Sequence, residues 1–488
     1  MNRDYDVIIL GSGPAGFSCA MQTAKFEKKA LIVESNEHFL GGTWINTGTV
    51  PSKALRDTAN NIFRYNLQFE DRDKKKPYDR FKMRDVLKYK DSVLANENSE
   101  IKDNLIKNNV DTALGFGKII DPHTVEITRD DGTKKRHTSD YILISSGAHS
   151  VAPKAFDIDH TTILDNKSIL NLHYIPKQLV IVGANVQAIE FATIFAALGT
   201  SVSILNEQED YLTFLDNEIK AEFKTILELL RITFFKRSKV LGIGPNPLRN
   251  CTEVKFEDKD TKKQHVIETQ QVLYFGERLP NSTGIGMDIV GIESDNKGFI
   301  MVDHNYRTNV PSIFAAGDVI GPPALASVSF SQGRTASCNM FGASSLKIDS
   351  GIPFGIYTIP EIASIGLTEE EASLQSKDIT VGRAYYRNLT KAKFGKNPMG
   401  MLKLVFETGS LRLLGVHIVG TGACDLIHIG QSVIRYKGDI RYFMDTVLNY
   451  PTFSEAYRIA AFNGVNRVYH SGVKYQKLLD KSDSSKRS

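Results

Sequence analysis

Six residues near the start of the chain, Gly11-Ser12-Gly13-Pro14-Ala15-Gly16, could hold a dinucleotide. In a G-x-G-x-x-G turn the first glycine permits the sharp bend. The second lets the backbone approach a pyrophosphate, and the third lets a helix pack close to its strand. A helix beginning there offers amide N–H groups and a partial positive charge to phosphate. Glu34 can accept both ribose hydroxyls of an adenosine. A second turn, Gly183-Ala184-Asn185-Val186-Gln187-Ala188, repeats the spacing with changes. Ala188 is a tolerable third position. Asn185 replaces the middle glycine, so its side chain is expected to push phosphates away or to force a left-handed backbone, which asparagine tolerates better than most residues. Beyond it lie Asn206-Glu207-Gln208-Glu209-Asp210, where the 2′ position of a nucleotide is read. Three carboxylates and no Lys or Arg in that run predict NAD(H) rather than NADP(H).

The elements that must position these residues follow from patterning. Tyr5–Leu10 and Ala30–Glu34 read as buried parallel strands, with a helix over Phe17–Phe26 between them. Residues 53–110 read as mostly helical, with a charged loop at Asp71–Lys76. Tyr141–Gly147 is a strand ending in a glycine turn. A second βαβ unit spans the strand Gln178–Gly183, a helix Ala188–Leu198 and the strand Ser201–Leu205. Glu218–Leu230 has helical periodicity. Ile313–Asp318 is a strand and turn that returns the chain to the first unit. Strand-like segments after Ile352 and a helix near Cys424–Arg435 indicate a separate α+β domain.

Composition narrows the class. A chain of 488 residues is long enough for about two to four domains. Its 41% hydrophobic and 24% charged content are those of an ordinary soluble protein. A net charge of +4 is too small to indicate a nucleic-acid partner. The four cysteines, Cys19, Cys251, Cys338 and Cys424, are scattered and form no C-x-x-C pair. They predict free thiols in a reducing cytoplasm and no metal site. Neither a signal peptide nor a membrane-spanning run is expected. The Ser- and Lys-rich tail 471–488 reads as flexible.

Gly41-Gly42-Thr43-Trp44-Ile45-Asn46-Thr47-Gly48-Thr49-Val50-Pro51-Ser52-Lys53 resembles the active-site helix of the flavoprotein disulfide reductases. That family's pattern is G-G-x-C-x-x-x-G-C-x-P-S-K. Here Trp44 and Thr49 occupy the two cysteine positions. The family's H-P-T-x-x-E appears as Tyr450-Pro451-Thr452-Phe453-Ser454-Glu455, with Tyr450 in place of the histidine. G-R-x-P-N appears around Glu277-Arg278-Leu279-Pro280-Asn281. The blocks Gly355–Glu361 and Asn449–Ala461, with Thr49, are similar to the soluble transhydrogenases within the family, although Trp44 departs from them.

The resemblance implies FAD as cofactor, with Gly11, Gly13, Gly16, Glu34, Gly42, Thr43, Gly117, Ser146, Gly147, Asp318 and Ala326 around it. Gly117 would meet adenine through its backbone, and Asp318 would bond the ribityl chain. Lys53 would lie near flavin N5, paired with Glu190, where a cation favours reduced flavin. NAD(H) or NADP(H) would bind at Gly183, Asn185, Ala188, Asn206, Glu207 and Arg278. Glu455 would act across a homodimer.

Without thiols at positions 44 and 49, dithiol chemistry is excluded, and a tyrosine at 450 is a poor base. The expected activity is hydride transfer between pyridine nucleotides. Two alternatives stand beside it: an NADH-dependent reductase of another acceptor, and a non-catalytic or altered homologue with weakened nucleotide binding. The expected fold is α/β, with two Rossmann-like dinucleotide-binding domains, one inserted in the other, plus a C-terminal α+β dimerisation domain. The boundaries are 1–150 and 282–345 for FAD, 151–281 for NAD(P) and 350–470 for dimerisation. No nucleic-acid or membrane partner is expected.

Overall fold

A computed structural model describes residues 3–69, 81–344, 351–375 and 378–470. The loop Asp71–Lys76 and the tail 471–488 lie outside the described residues.

The first sheet begins with β1 (Tyr5–Leu10), α1 (Pro14–Lys25) and β2 (Ala30–Glu34). Helix α1 starts earlier than its apolar pattern indicates, because Pro14 at its first turn presets the helical φ. Two helical segments, α2 (Thr43–Asn46) and α3 (Thr49–Phe69), carry the Gly41–Lys53 motif. After α4 (Met83–Lys107) come β3 (Asp111–Leu114), β4 (Phe116–Asp121), β5 (Thr124–Thr128) and β6 (Lys134–Ile144). The strand order is β3-β2-β1-β6-β5-β4. Strand β6 is longer than its apolar half, Tyr141–Ile144. Its polar start, Lys134–Thr138, pairs antiparallel with β5, and that pairing leaves no hydrophobic signature.

The chain then leaves through β7 (Ala148–Ser150) and β8 (Ile163–Leu164) into a second parallel sheet. This contains β9 (Gln178–Val182), α5 (Val186–Ala197), β10 (Ser201–Leu205), α6 (Asn217–Leu229) and β11 (Thr233–Phe235). An antiparallel ladder follows, β12 (Ser238–Asn246), β13 (Cys251–Asp258) and β14 (Gln264–Thr269), then β15 (Gln271–Tyr274), giving the order β11-β10-β9-β15-β8. The return strand β16 (Arg278–Pro280) pairs with β7, and β17 (Ile313–Ala315) closes onto β6. The second unit is thus inserted in the first. Helix α5 is mostly apolar and buried, as a helix packed between layers must be.

Helix α7 (Ala326–Met340) packs on α1 so tightly that a Cβ on Gly333 would lie 1.9 Å from the Ala15 carbonyl oxygen. The C-terminal unit is a five-stranded antiparallel sheet of β18 (Phe354–Ile356), β19 (Ile362–Gly366), β20 (Ile379–Tyr385), β21 (Gly400–Glu407) and β22 (Leu413–Gly420). Helices α8 (Glu369–Leu374), α9 (Ala423–Arg435) and α10 (Glu455–His470) accompany it.

A buried ion cluster joins this unit to the inserted one. Lys403 of β21 is fully buried and reaches Asp216 at 2.8 Å, Glu218 at 2.8 Å and Glu369 at 2.5 Å. Asp216 also caps α6 through the amides of Glu218 and Ile219. Burial opposes its ionisation, but the charge of His417 and the hydrogen-bonded Lys403 ammonium outweigh that and hold the carboxyl below its ordinary range. No described helix is long and apolar enough to cross a membrane.

Candidate cofactor and nucleotide sites

The glycine turn after β1 is built against backbone on two sides. Gly11 has φ 103°, and a Cβ there would lie 2.5 Å from the Ser145 carbonyl oxygen. A Cβ on Gly16 would meet the Gly11 oxygen at 2.0 Å. Gly13 differs: its φ of −61° suits any residue, and a Cβ there would meet nothing within 4 Å. What Gly13 supplies is therefore room. Helix α1 begins on it with no side-chain cap, leaving its first amides open to an anion.

The neighbouring residues close around that turn. A Cβ on Gly42 would lie 3.0 Å from the Gly13 Cα, so the Gly41–Lys53 segment crosses directly over the turn. The Gly41 amide donates to Ser12 Oγ at 3.0 Å. Ser12 in turn donates to Glu34 Oε2 through its amide at 3.1 Å and its hydroxyl at 2.5 Å. Ser146 and Gly147 follow β6 and are locked to Asn281: Ser146 Oγ donates to the Asn281 oxygen at 2.8 Å, and the Asn281 amide donates to the Gly147 oxygen at 2.9 Å. Gly147 has an open Cβ direction, as Gly13 does. Asp318 follows Gly317 after β17. Ala326 opens α7, another helix start without a side-chain cap. Thr43 opens α2 and is exposed. Gly117 of β4 packs against Leu10 and Val33 at the ends of β1 and β2.

Gly11, Glu34, Ser146, Gly147 and Asp318 lie at or just beyond the carboxyl ends of the parallel strands β1, β2, β6 and β17, where open α/β sheets bind ligands. The open glycine directions and uncapped helix starts fit a bound dinucleotide such as FAD.

Lys53 stands one turn into α3. Its ammonium donates to both oxygens of Glu190 on α5, at 3.0 and 2.8 Å. The Glu190 side chain is only 5% exposed. Arg56, one turn further along, pairs with Glu361 at 2.8 Å and donates to the Thr358 carbonyl at 3.2 Å. Sequence reasoning gave no role to Arg56, Tyr357 or Glu361. Their partners come from distant segments, so no local spacing marks them. Trp44 packs edge-on against Phe330 of α7, ring centroids 4.9 Å apart, and leans on the apolar cluster under the first sheet. Thr49 is exposed at the start of α3.

The second turn differs from the first in one atom-level respect. Gly183 has φ 106°, and a Cβ there would meet the Phe275 oxygen at 2.5 Å, as at Gly11. Asn185 has φ −71° and ψ 176°, almost the conformation of Gly13. The expected left-handed strain is therefore absent, because this position never required a positive φ. Instead Asn185 Oδ1 accepts the Ala188 amide at 3.0 Å and caps α5. Ala188 itself is fully buried.

Asn206 occupies the place of Glu34, since Gly183 donates to Leu205 as Gly11 does to Val33. It is buried and donates to the Gln208 and Asp210 carbonyls at 3.1 and 3.0 Å, which shapes the following loop. The carboxylates of that loop have cationic neighbours. Glu207 pairs with Lys259 at 3.0 Å, and Asp210 with Lys220 at 2.5 Å. Glu209 pairs with Lys236 and stands 3.9 Å from Arg237. Lys236 and Arg237 arrive on the β11–β12 turn and Lys259 on the β13–β14 turn, far from the loop in sequence.

Arg278, expected with the second turn, pairs with Asp318 at 2.8 Å and donates to the Ala148 carbonyl at 3.2 Å. Tyr450 is 68% exposed, its hydroxyl 2.8 Å from Thr390 Oγ1. Glu455 begins α10. Among the described residues, neither is a hydrogen-bond or ion-pair partner of Lys53 or Glu190 within the chain.

Comparison with known proteins places these features in context. Residues 5–333 match the family model described as pyridine nucleotide-disulphide oxidoreductase, and residues 352–461 match its dimerisation domain. The soluble pyridine nucleotide transhydrogenase of Pseudomonas aeruginosa strain LESB58 is 36% identical over 474 residues, covering 96% of this chain and 99% of that protein. That of Mycobacterium tuberculosis strain H37Ra is 37% identical over 468 residues, covering 96% and 98%. Two solved structures share the fold. The HOCl-induced flavoprotein disulfide reductase RclA from Escherichia coli has a TM-score of 0.83 at 23% identity, over 94% of this chain and 99% of that one. LpdA from Mycobacterium tuberculosis has a TM-score of 0.84 at 23% identity, over 93% and 98%.

Proposed function

This chain belongs to the pyridine nucleotide-disulphide oxidoreductase family, and on that premise we propose that it is an FAD-dependent enzyme moving hydride between pyridine nucleotides. The observation that carries this reading is the retained Lys53–Glu190 pair beside positions 44 and 49, which hold no sulfur. Bound FAD would supply the redox chemistry, taking two electrons and a proton as hydride from one reduced nucleotide and giving them to a second, oxidised one. Gly13, Gly42, Ser146, Gly147 and Asp318 would hold that cofactor. Lys53 supplies a fixed cation, and Glu190 keeps it in place. No thiolate has to be protonated or deprotonated, so the absence of a histidine at Tyr450 carries no penalty. The dimerisation domain supports a homodimer, in which Tyr450 and Glu455 of one copy would face the site of the other.

The balanced charges around Glu207, Glu209 and Asp210 support use of both NAD(H) and NADP(H), in place of the NAD(H) preference that the sequence indicates. A second reading, a flavoprotein with weakened nucleotide binding, is favoured by one observation: Asn185 occupies the start of α5.

Anaerobic titration of the purified protein tests both. A yellow, FAD-loaded protein bleached by NADH and by NADPH supports the transhydrogenase reading. Bleaching by neither selects the second. A colourless protein that takes up no FAD overturns both.

A further inference from the structure

Three segments distant in sequence meet at one buried carboxylate. Lys53 of α3 donates to both oxygens of Glu190 on α5. The backbone amide of Tyr357, in the loop after β18 of the C-terminal unit, donates to Glu190 Oε1 at 2.8 Å. The Tyr357 ring lies beneath the Lys53 ammonium, 4.8 Å from nitrogen to ring centroid. The lysine head is thus held by a carboxylate and by an aromatic face.

That face is rigidly carried. Thr358 receives Arg56, and the Ile359 amide donates to Thr193 Oγ1 of α5 at 3.0 Å. The phenol is not an acid or base here, because burial, together with nearby negative charge including Glu361 and Glu190, pushes its pKa up to about 12. Across the neutral range it presents only a ring quadrupole, which attracts a cation.

We propose that Tyr357 is a positioning residue, whose ring holds the Lys53 ammonium in the place from which it acts on bound flavin. The inference rests on the flavin reading of Lys53. It makes the electronics of the first unit depend on a loop of the C-terminal unit.

The test is the midpoint potential of bound FAD, measured by anaerobic reduction beside a reference dye. Position 357 is occupied in turn by phenylalanine and by progressively fluorinated phenylalanines, which keep the shape and weaken the quadrupole. Tyr357→Phe is expected to keep the potential. Each further fluorination is expected to lower it, so that the reduced-to-oxidised ratio at a fixed dye potential falls by about threefold or more at full fluorination. In a Lys53→Met background the trend is expected to vanish. A flat series, or a fall already complete in Tyr357→Phe, overturns the inference while leaving the flavin reading intact. Failure of the wild-type protein to bind FAD removes the flavin reading itself, and the inference with it.

Discussion

Asn185 caps the start of α5, whereas Gly13, at the equivalent turn, leaves the start of α1 uncapped. The two residues share nearly the same backbone conformation at equivalent turns, yet one sends its side chain to an amide and the other sends none. An Asn185→Gly substitution therefore requires no backbone change. It frees the Ala188 amide and clears space beside the turn. Nucleotide affinity is expected to rise by about tenfold, the loss of roughly 1.4 kcal/mol being what one occupied amide and one side chain would cost. Stability should fall by only a few tenths of a kcal/mol, because glycine is itself an acceptable N-cap. Isothermal titration with NADH and NADPH, alongside denaturant melts, measures both. Unchanged affinity would sink the argument that Asn185 obstructs the site.

The Glu207–Asp210 loop gives a second prediction. Its carboxylates are each matched by Lys259, Lys220, Lys236 or Arg237. Removing two cations together, Lys236→Gln with Arg237→Gln, leaves Glu209 unpaired. NADPH binding should then weaken by several-fold while NADH binding changes little, and the difference should shrink in high salt. Equal loss for the two nucleotides would show that the rim does not read the 2′ position.

Lys403 gives a stability prediction. It is fully buried among Asp216, Glu218 and Glu369, so truncating it strands buried negative charge. Lys403→Met should destabilise the protein by about 3–5 kcal/mol. Combining it with Asp216→Asn should recover part of that loss, since the partner charge is gone. Equilibrium unfolding of the single and double variants provides the cycle.

His417 makes stability depend on pH. Burial lowers its pKa, and its Nδ1 has no hydrogen-bond partner, while Nε2 faces the Leu367 oxygen at 2.9 Å. The unfolded histidine takes up a proton near about pH 6.5, whereas the folded one does so only at lower pH. Stability should therefore fall as pH drops below about 6.5, with a slope of up to about 1.4 kcal/mol per pH unit from this group. Asp216 adds to the loss only at lower pH. Its depressed pKa confers stability that is complete above its unfolded value of about 3.9 and lost as pH falls through the folded one. His417→Gln should flatten the profile just below about pH 6.5. An unaltered slope in that variant would assign the pH dependence to other groups.

Much of the first βαβ unit is legible in the chain. The strands Tyr5–Leu10 and Ala30–Glu34, the glycine turn between them and the repeat at Gln178–Leu205 are all short-range patterns. Backbone sterics and short unbroken apolar runs act over a few residues, so sequence alone carries them. The missing sulfurs at Trp44 and Thr49 are equally plain, because side-chain identity needs no geometry.

Tertiary structure decided what lies across from these residues. The cations that balance Glu207 and Glu209 come from other turns, and the one that balances Asp210 from α6. Arg278 pairs with Asp318 on the first unit, and Tyr357 supplies a ring to Lys53. Electrostatic and cation–π energies depend on distance through space, and folding brings together groups whose separation along the chain gives no hint of it. The sequence by itself determined that no dithiol is present and that two dinucleotide turns exist. Only the folded chain decided that one turn is open, the other capped, and Lys53 held between a carboxylate of the inserted unit and an aromatic ring of the C-terminal one.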